Sequence, residues 1–160
     1  MKIRRVQATA LPSTALIGAA GTFYVASELS RRGMIVLPTT RNTAAYDLLV
    51  VTPDGRRHAN VQVKTSFMRA SGFPMPLPEK IHTGRHDFYV FVRWDDEDNR
   101  LQGFMLTGRQ THAVVEDHVR QQKARIRKGS RKIIFPGVHA DPNDRLNGGA
   151  WHRKWMKWKL

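Results

Sequence analysis

The sequence predicts an α/β fold in which helices flank a central mixed β-sheet. Two segments, 13–33 and 109–128, have the apolar spacing and the end signals of helices. Between them lie short apolar segments rich in Val, Leu and Phe, and turn residues separate these segments in pairs, as in β-hairpins. The predicted order is helix, three strands, loop, two strands, helix, strand and helix. This order is typical of an α/β domain with a layered core.

The first helix leads directly into three predicted strands. Ser13 or Thr14 can cap the start of this helix, and Gly33 can end it in a left-handed conformation. A short strand is predicted over 34–38. A hairpin is predicted over 46–66, because apolar residues alternate there around a Pro-Asp-Gly turn.

The remaining elements come from the second half of the chain. A loop containing Pro and Gly is predicted over 67–86, and long loops in compact domains are often functional. A buried strand over 87–94 follows, with a hairpin partner over 101–107. After the helix over 109–128, a last strand is predicted over 132–135.

The whole chain, 1–160, is interpreted as one domain, because 160 residues suit a single compact core. We expect this core over about 13–135, followed by a Trp-rich basic helix over about 142–160. No apolar run is long enough to span a bilayer, and the N-terminal region is interpreted as a capped helix rather than a signal peptide. The chain has no cysteine, which excludes disulfides and thiolate zinc sites. A cytoplasmic protein without a membrane partner is expected.

The charge of the chain points to a polyanionic partner. Lys and Arg number 27 against 13 Asp and Glu, giving a formal net charge of +14. This favours nucleic acid first and an acidic membrane surface second, although charge alone supports affinity and not catalysis. A solvated helix face is the alternative interpretation of the basic run after residue 119. The residues expected to contact nucleic acid are Arg41, Arg120, Lys123, Arg125, Arg127, Lys128, Arg131 and Lys132.

Polar side chains at the open end of the predicted hairpin form the candidate site. If Pro53 lies opposite Arg56 across the turn, Asp47 lies opposite Gln62. Because side chains alternate between the two faces of a strand, Asp47, Gln62 and Lys64 then share one small patch. A carboxylate, an amide oxygen and an ammonium group suit a magnesium site that works on phosphate. Glu28 could add a second carboxylate from the preceding helix.

The order of these motifs resembles the PD-(D/E)XK nuclease superfamily, which includes archaeal Holliday-junction resolvases and many restriction endonucleases. The matching segments are the helix from Gly21 to Gly33, the stretch NTAAYDLLV and the stretch VQVKT. The resemblance implies a restriction-endonuclease-like fold and a Mg²⁺- or Mn²⁺-dependent endonuclease acting on DNA. It implies that Glu28, Asp47, Gln62 and the main-chain carbonyl of Val63 hold the metal, and that Lys64 acts on the attacking water. A homodimer is the assembly typical of resolvases of this type.

The sequence departs from the family pattern at two positions. Tyr46 stands where the motif has Pro, and Gln62 stands where it usually has Glu or Asp, as in a QXK branch of the family. The second departure leaves open a nucleic-acid-binding protein that kept the fold and lost efficient metal binding, with RNA as an alternative partner. A basic protein that docks on another acidic surface is a third interpretation. For single residues, Asp47 as a strand cap and Glu28 in a surface ion pair are the plain alternatives.

Overall fold

A computed structural model describes residues 13–40, 45–66, 72–95, 100–128 and 136–138. The predicted strand over 132–135 and the Trp-rich helix over about 142–160 lie outside the described residues, as do Arg41, Arg131 and Lys132. The interpretation of the whole chain as one domain stays a prediction. The described helices and strands are, in chain order, α1 (Thr14–Arg31), β1 (Ile35–Pro38), β2 (Leu48–Val51), β3 (His58–Ser66), β4 (Phe73–Pro74), a 3₁₀ turn (Pro78–Lys80), β5 (Asp87–Asp95), β6 (Arg100–Thr107), α2 (Gly108–Arg127) and β7 (Gly137–Val138).

A five-stranded mixed sheet forms the centre of the described structure. Its strand order is β1-β2-β3-β5-β6. Strands β3 and β5 are parallel, and the other neighbours in this sheet are antiparallel. The prediction of an α/β fold with helices flanking a mixed sheet is therefore confirmed.

The connection between β3 and β5 differs from the predicted loop over 67–86. Its described part contains β4 and the 3₁₀ turn, and β4 pairs with β7 in a second, two-stranded sheet. The prediction of a loop without secondary structure is wrong for this part. The reason is that β4 has only two residues and its partner lies more than sixty positions along the chain, so no local pattern marks it.

Helix α1 packs on one face of the sheet. The hydroxyl of Ser13 accepts the Leu16 N–H, and Gly33 follows the helix with φ of 82°, so both predicted end signals are used. The buried residues Gly21, Val25 and Leu29 follow one another at four-residue spacing, which places them on the side of α1 that faces the sheet.

Helix α2 packs on the opposite face of the sheet. Its start is a capping box, in which Thr107 and Gln110 each accept the other's backbone N–H. Val115 and Val119 pack with Phe91 and Phe104, whereas Val25 and Leu29 of α1 pack with apolar residues of the other face. The alternation along β3 and β5 therefore decides which side chains meet which helix. Among the described residues, neither helix is long and apolar enough to cross a membrane.

Candidate active site

The β2–β3 hairpin has the register predicted from the sequence. Leu48 pairs with Val61 and Val51 pairs with His58. The turn is a four-residue loop over 53–56, closed by the Thr52 N–H donating to the Arg57 carbonyl at 2.9 Å. The pairs end at Leu48, and the Asp47 N–H donates to the carbonyl of Val61, which is the partner of Leu48, so the pairing of Asp47 with Gln62 stays a prediction.

Three hydrogen bonds, each involving a backbone group of a neighbouring segment, hold Asp47 immediately before β2. Its N–H donates to the Val61 carbonyl at 2.9 Å, and its carbonyl accepts the Thr39 N–H at 2.9 Å. Its carboxylate oxygen Oδ2 accepts the Val63 N–H at 2.7 Å. The short distance is typical of a charge-assisted hydrogen bond. Asp47 is therefore more than a strand cap, because its side chain is held against the backbone of β3.

Gln62 and Lys64 lie on the face of β3 away from α1. In the parallel pairing with β5, Gln62 is level with Tyr89 and Lys64 with Phe91, and these aromatic residues belong to the core beneath α2. Burial lowers the pKa of the Lys64 amino group, and the nearby Asp47 carboxylate partly opposes that shift. Lys64 and Asp47 are thus close enough to interact electrostatically.

The backbone of Val63 faces the same side as Asp47. Within a strand, the N–H and C=O of one residue point toward the same neighbour. The backbone polar groups of Val61 and Val63 both point toward the β2 side of β3. The Val61 carbonyl accepts the Asp47 N–H, and the Val63 N–H donates to the Asp47 carboxylate. Strand β2 begins only at Leu48, so the carbonyl of Val63 points past the end of β2, beside Asp47.

The donor atoms around Asp47 suit a hard cation. The Asp47 carboxylate, the Gln62 amide and the Val63 carbonyl all offer oxygen, and Mg²⁺ is commonly held by one or two carboxylates, with water and substrate phosphate completing its shell. No three His, Cys, Asp or Glu side chains within the described ranges lie together as a metal site. With one carboxylate, these residues would leave part of an ion's coordination to water and substrate phosphate.

A cleft of about 490 Å³ opens next to Asp47. Small residues of the first half of α1 form one wall, and the segment after β1 forms another. The short side chains of α1 leave room beside the carboxylate for part of a substrate. The lining residues include Ala15, Gly18, Ala19, Thr22, Thr39, Tyr46, Asp47 and Val63.

Glu28 lies away from this cleft. Its carboxylate pairs with Arg32 at 2.6 Å and with Arg31 at 3.3 Å, and these bonds lower its pKa. It does not line the cleft, whereas Gly18 does. The cleft-lining residue of α1 nearest to Glu28 in sequence is Phe23, five residues before it, which is about 7.5 Å along the helix axis. The structure brings Val63 and Lys64 close to Asp47, places Gln62 on the same strand, and leaves Glu28 in the surface ion pair that was its alternative interpretation.

The predicted nucleic-acid contacts that can be described lie on α2. Arg120, Lys123, Arg125, Arg127 and Lys128 are all exposed. The guanidinium of Arg120 also pairs with Asp117. At spacings of three and four, Arg120, Lys123 and Arg127 share one side of the helix, and they line one shallow groove.

Sequence reasoning missed a buried polar group beside the site. Asp87, at the start of β5, is 7% exposed. Its Oδ1 accepts from the Tyr46 hydroxyl at 3.0 Å and from the Asn60 amide at 3.0 Å, and its Oδ2 accepts the Gly84 N–H at 2.8 Å. A carboxylate that opens an otherwise apolar strand is the same signal that singled out Asp47, and it could have singled out Asp87.

Comparisons with known proteins give distant structural likeness only. No family model matches the chain, and no curated protein matches it. One similar solved structure is that of a bacterial homing endonuclease, I-Ssp6803I, with 17% sequence identity and a TM-score of 0.47 over 92% of this chain and 94% of the other. Function is therefore argued from the residues of this chain.

Proposed function

We propose that this protein is a Mg²⁺- or Mn²⁺-dependent endonuclease of the PD-(D/E)XK type that hydrolyses DNA phosphodiester bonds. The observation that carries the proposal is the hydrogen bond from the Val63 N–H to the Asp47 carboxylate at 2.7 Å, which ties Asp47 to the strand that carries Gln62 and Lys64. The electrostatic interaction of Lys64 with Asp47 supports the same grouping. These are the residue types that metal-assisted phosphate hydrolysis needs.

In this proposal the metal is held by the Asp47 carboxylate, the Gln62 amide oxygen and the main-chain carbonyl of Val63. A bound divalent ion lowers the pKa of a coordinated water and neutralises charge on the phosphate. Lys64 orients the attacking water and stabilises the negative charge that develops on the phosphoryl oxygens. Because burial lowers its pKa, a larger fraction of Lys64 is neutral near pH 8 than for a solvated lysine, and that fraction can accept a proton from the water.

The charge of the chain supports DNA as the substrate. A net charge of +14 favours a polyanion, and the exposed cations of α2 offer contacts to the phosphate backbone. The predicted contacts at Arg41, Arg131 and Lys132 belong to the same proposal. Glu28 is left out of the proposed metal ligands, because Arg31 and Arg32 hold its carboxylate.

The test is cleavage of single-stranded, duplex, flapped and four-way-junction DNA with Mg²⁺ or Mn²⁺. Asp47→Ala and Lys64→Ala should each lower the rate at least a hundredfold, because each removes a group that acts on the metal or the water. Lys80→Ala is the matched control, since Lys80 is an exposed lysine of the 3₁₀ turn. Full activity of either site variant, in a preparation free of contaminating nuclease, would refute the site.

A second candidate function is nucleic-acid binding without cleavage. Gln62 favours it, because a neutral amide is a weaker metal ligand than a carboxylate. This candidate predicts salt-sensitive DNA binding and no metal-dependent product. Calorimetry showing a well-occupied magnesium site would argue against it, and the gain of cleavage on Gln62→Glu would argue for it.

A further inference from the structure

Tyr46, the residue that precedes Asp47, is anchored at both its backbone and its side chain. Its carbonyl accepts the Thr39 hydroxyl at 2.5 Å. Its phenol donates to Asp87 on β5 at 3.0 Å, across forty-one positions of sequence. Since β3 lies between β2 and β5 in the sheet, the side chain of Tyr46 must cross β3 to reach Asp87. Tyr46 also lines the cleft together with Asp47 and Val63.

Asp87 is a firm anchor for this phenol. It is almost wholly buried, and its three hydrogen-bond donors come from β3, from the loop before β5 and from Tyr46 itself. Gly84 leaves no spare room, because a Cβ there would lie 2.6 Å from the Asp87 carboxylate. Buried carboxylates of this kind keep their geometry, since losing one donor leaves an uncompensated charge.

The phenol is a donor over the whole range of an enzyme assay. Burial, with a further contribution from Asp87, raises the pKa of Tyr46 to about 12. Its proton therefore stays on the hydroxyl at neutral and mildly alkaline pH.

We propose that Tyr46, held by Asp87, is a positioning residue that sets the carboxylate of Asp47 against β3. The inference deepens the proposed function and rests on it, because the carboxylate it positions is the proposed metal ligand. Among the described residues, the hydrogen bonds of Asp47 go to β3 and to Thr39. The bond from Tyr46 to Asp87 adds a tie to β5, so the two residues before β2 are bonded to β3, to β5 and to Thr39 after β1. Groups that orient a metal ligand commonly change metal affinity ten- to a hundredfold when removed.

The expected effect of Tyr46→Phe is a loss of metal affinity. The variant keeps the ring and removes only the hydroxyl that donates to Asp87. The Mg²⁺ concentration for half-maximal cleavage should rise about tenfold, and excess Mg²⁺ should restore most of the rate. Asp87→Asn, which removes the charge of the anchor, should act in the same direction. A purely structural role would lower the folded fraction, and Mg²⁺ would not restore the rate.

A second measurement does not depend on cleavage. The Val63 amide donates to the Asp47 carboxylate, so its proton chemical shift in ¹⁵N-labelled protein reports on that bond. Tyr46→Phe should move this signal upfield, because the hydrogen bond weakens. The matched control is Asp54→Asn, which removes another carboxylate of the same hairpin, bonded to Thr52 and to the Arg56 N–H at the turn. The control should leave the Val63 signal in place.

The two measurements separate the inference from the function. An unmoved Val63 signal in folded Tyr46→Phe would overturn the positioning role, whatever the cleavage rates are. If the wild type does not cleave DNA but the Val63 signal moves in Tyr46→Phe, the positioning role is upheld and the nuclease function is rejected. A moved signal with an unchanged Mg²⁺ requirement would show that the bond is not relevant to the metal, and would overturn the inference as well.

Discussion

At the scale of single residues, Lys64 illustrates a conflict between stability and function. Burial lowers the pKa of its amino group, so the charged form is less favourable in the folded protein than in the unfolded chain. The penalty is fully present at pH values below the folded-state pKa. It is relieved as pH rises from that value to the ordinary one near 10.5.

We expect Lys64→Met to be more stable than the wild type at pH 7, although inactive. Methionine fills a similar volume without a charge that must be buried. A gain of about 1 kcal/mol corresponds to a rise in melting temperature of roughly 2–4 °C for a domain of this size. Thermal unfolding at pH 7 and at pH 10 measures it, and the difference between the two proteins should shrink at the higher pH. A variant less stable than the wild type at pH 7 would mean that Asp47 stabilises the charged amine more than burial penalises it.

Residue types alone revealed part of the candidate site. Asp47 and Lys64 could be predicted because both are polar positions in a locally alternating hairpin, where neighbours in sequence decide neighbours in space. The bond between Tyr46 and Asp87 could not, because it joins the residues before β2 to β5, which is distant in sequence and separated from β2 by β3 in the sheet. The environment of Glu28 could be predicted only in part. Its spacing of three and four residues to Arg31 and Arg32 favours a surface ion pair, whereas its position in the helix matches the acidic residue of the family motif.

At the scale of secondary structure, one close contact sets how α1 lies on the sheet. A Cβ added at Gly21 would come within 1.9 Å of the Thr65 hydroxyl oxygen on β3. The helix therefore approaches β3 more closely here than any residue with a side chain allows. This approach positions the small residues of the first half of α1 at the cleft and leaves Glu28 toward the far end of the helix. The sequence predicted the helix, but not which strand residue Gly21 would meet.

Gly21→Ala should therefore destabilise the protein, although alanine is the better helix former. Overpacking of this kind typically costs about 1–3 kcal/mol, more than the roughly 1 kcal/mol gained in helix propensity. Gly18→Ala on the same helix is the matched control, because nothing lies within 4 Å of a Cβ there, and it should stabilise the protein. Urea unfolding measures both variants. Equal stabilisation by both would show that β3 yields to the added methyl group.

Adding Thr65→Ala to Gly21→Ala tests the contact directly. Thr65→Ala removes the hydroxyl and the methyl group that the new Cβ would meet. The double variant should recover part of the lost stability, and the coupling energy between the two sites should be about 0.5–3 kcal/mol. Additive effects would mean that Thr65 is not the group that α1 meets.

At the scale of the whole molecule, the fold places the basic residues of α2 away from the packed faces. The sheet and both helices bury apolar residues on their inner sides, so the cations of α2 are left on its exposed side. The general prediction of a polyanionic partner needed only the composition. The composition does not show which cations lie together. Arg120, Lys123 and Arg127 line one groove because they are three and four residues apart along a helix. The homodimer and the cytoplasmic location stay predictions.

The groove on α2 gives the last prediction, which concerns DNA affinity rather than cleavage. Each cation that contacts a phosphate releases a counterion, so the logarithm of the binding constant falls with the logarithm of salt concentration by about 0.9 per contact. Replacing Arg120, Lys123 and Arg127 by glutamine should weaken duplex binding at low salt and reduce that slope by about two to three. Fluorescence anisotropy from 50 to 300 mM salt measures it, whether or not the protein cleaves.

Arg31→Gln is the control for this series. Arg31 is an exposed cation of α1, but it is already paired with the Glu28 carboxylate. Its removal should leave the salt slope unchanged, because Arg31 lies on the helix across the sheet from the groove and would not contact the same DNA phosphates. If the triple variant kept the wild-type slope while a single change on α1 lowered it, DNA would lie along α1 and the cleft instead. That result would move the proposed DNA path to the opposite face of the sheet from α2 and would leave the site at Asp47 as its centre.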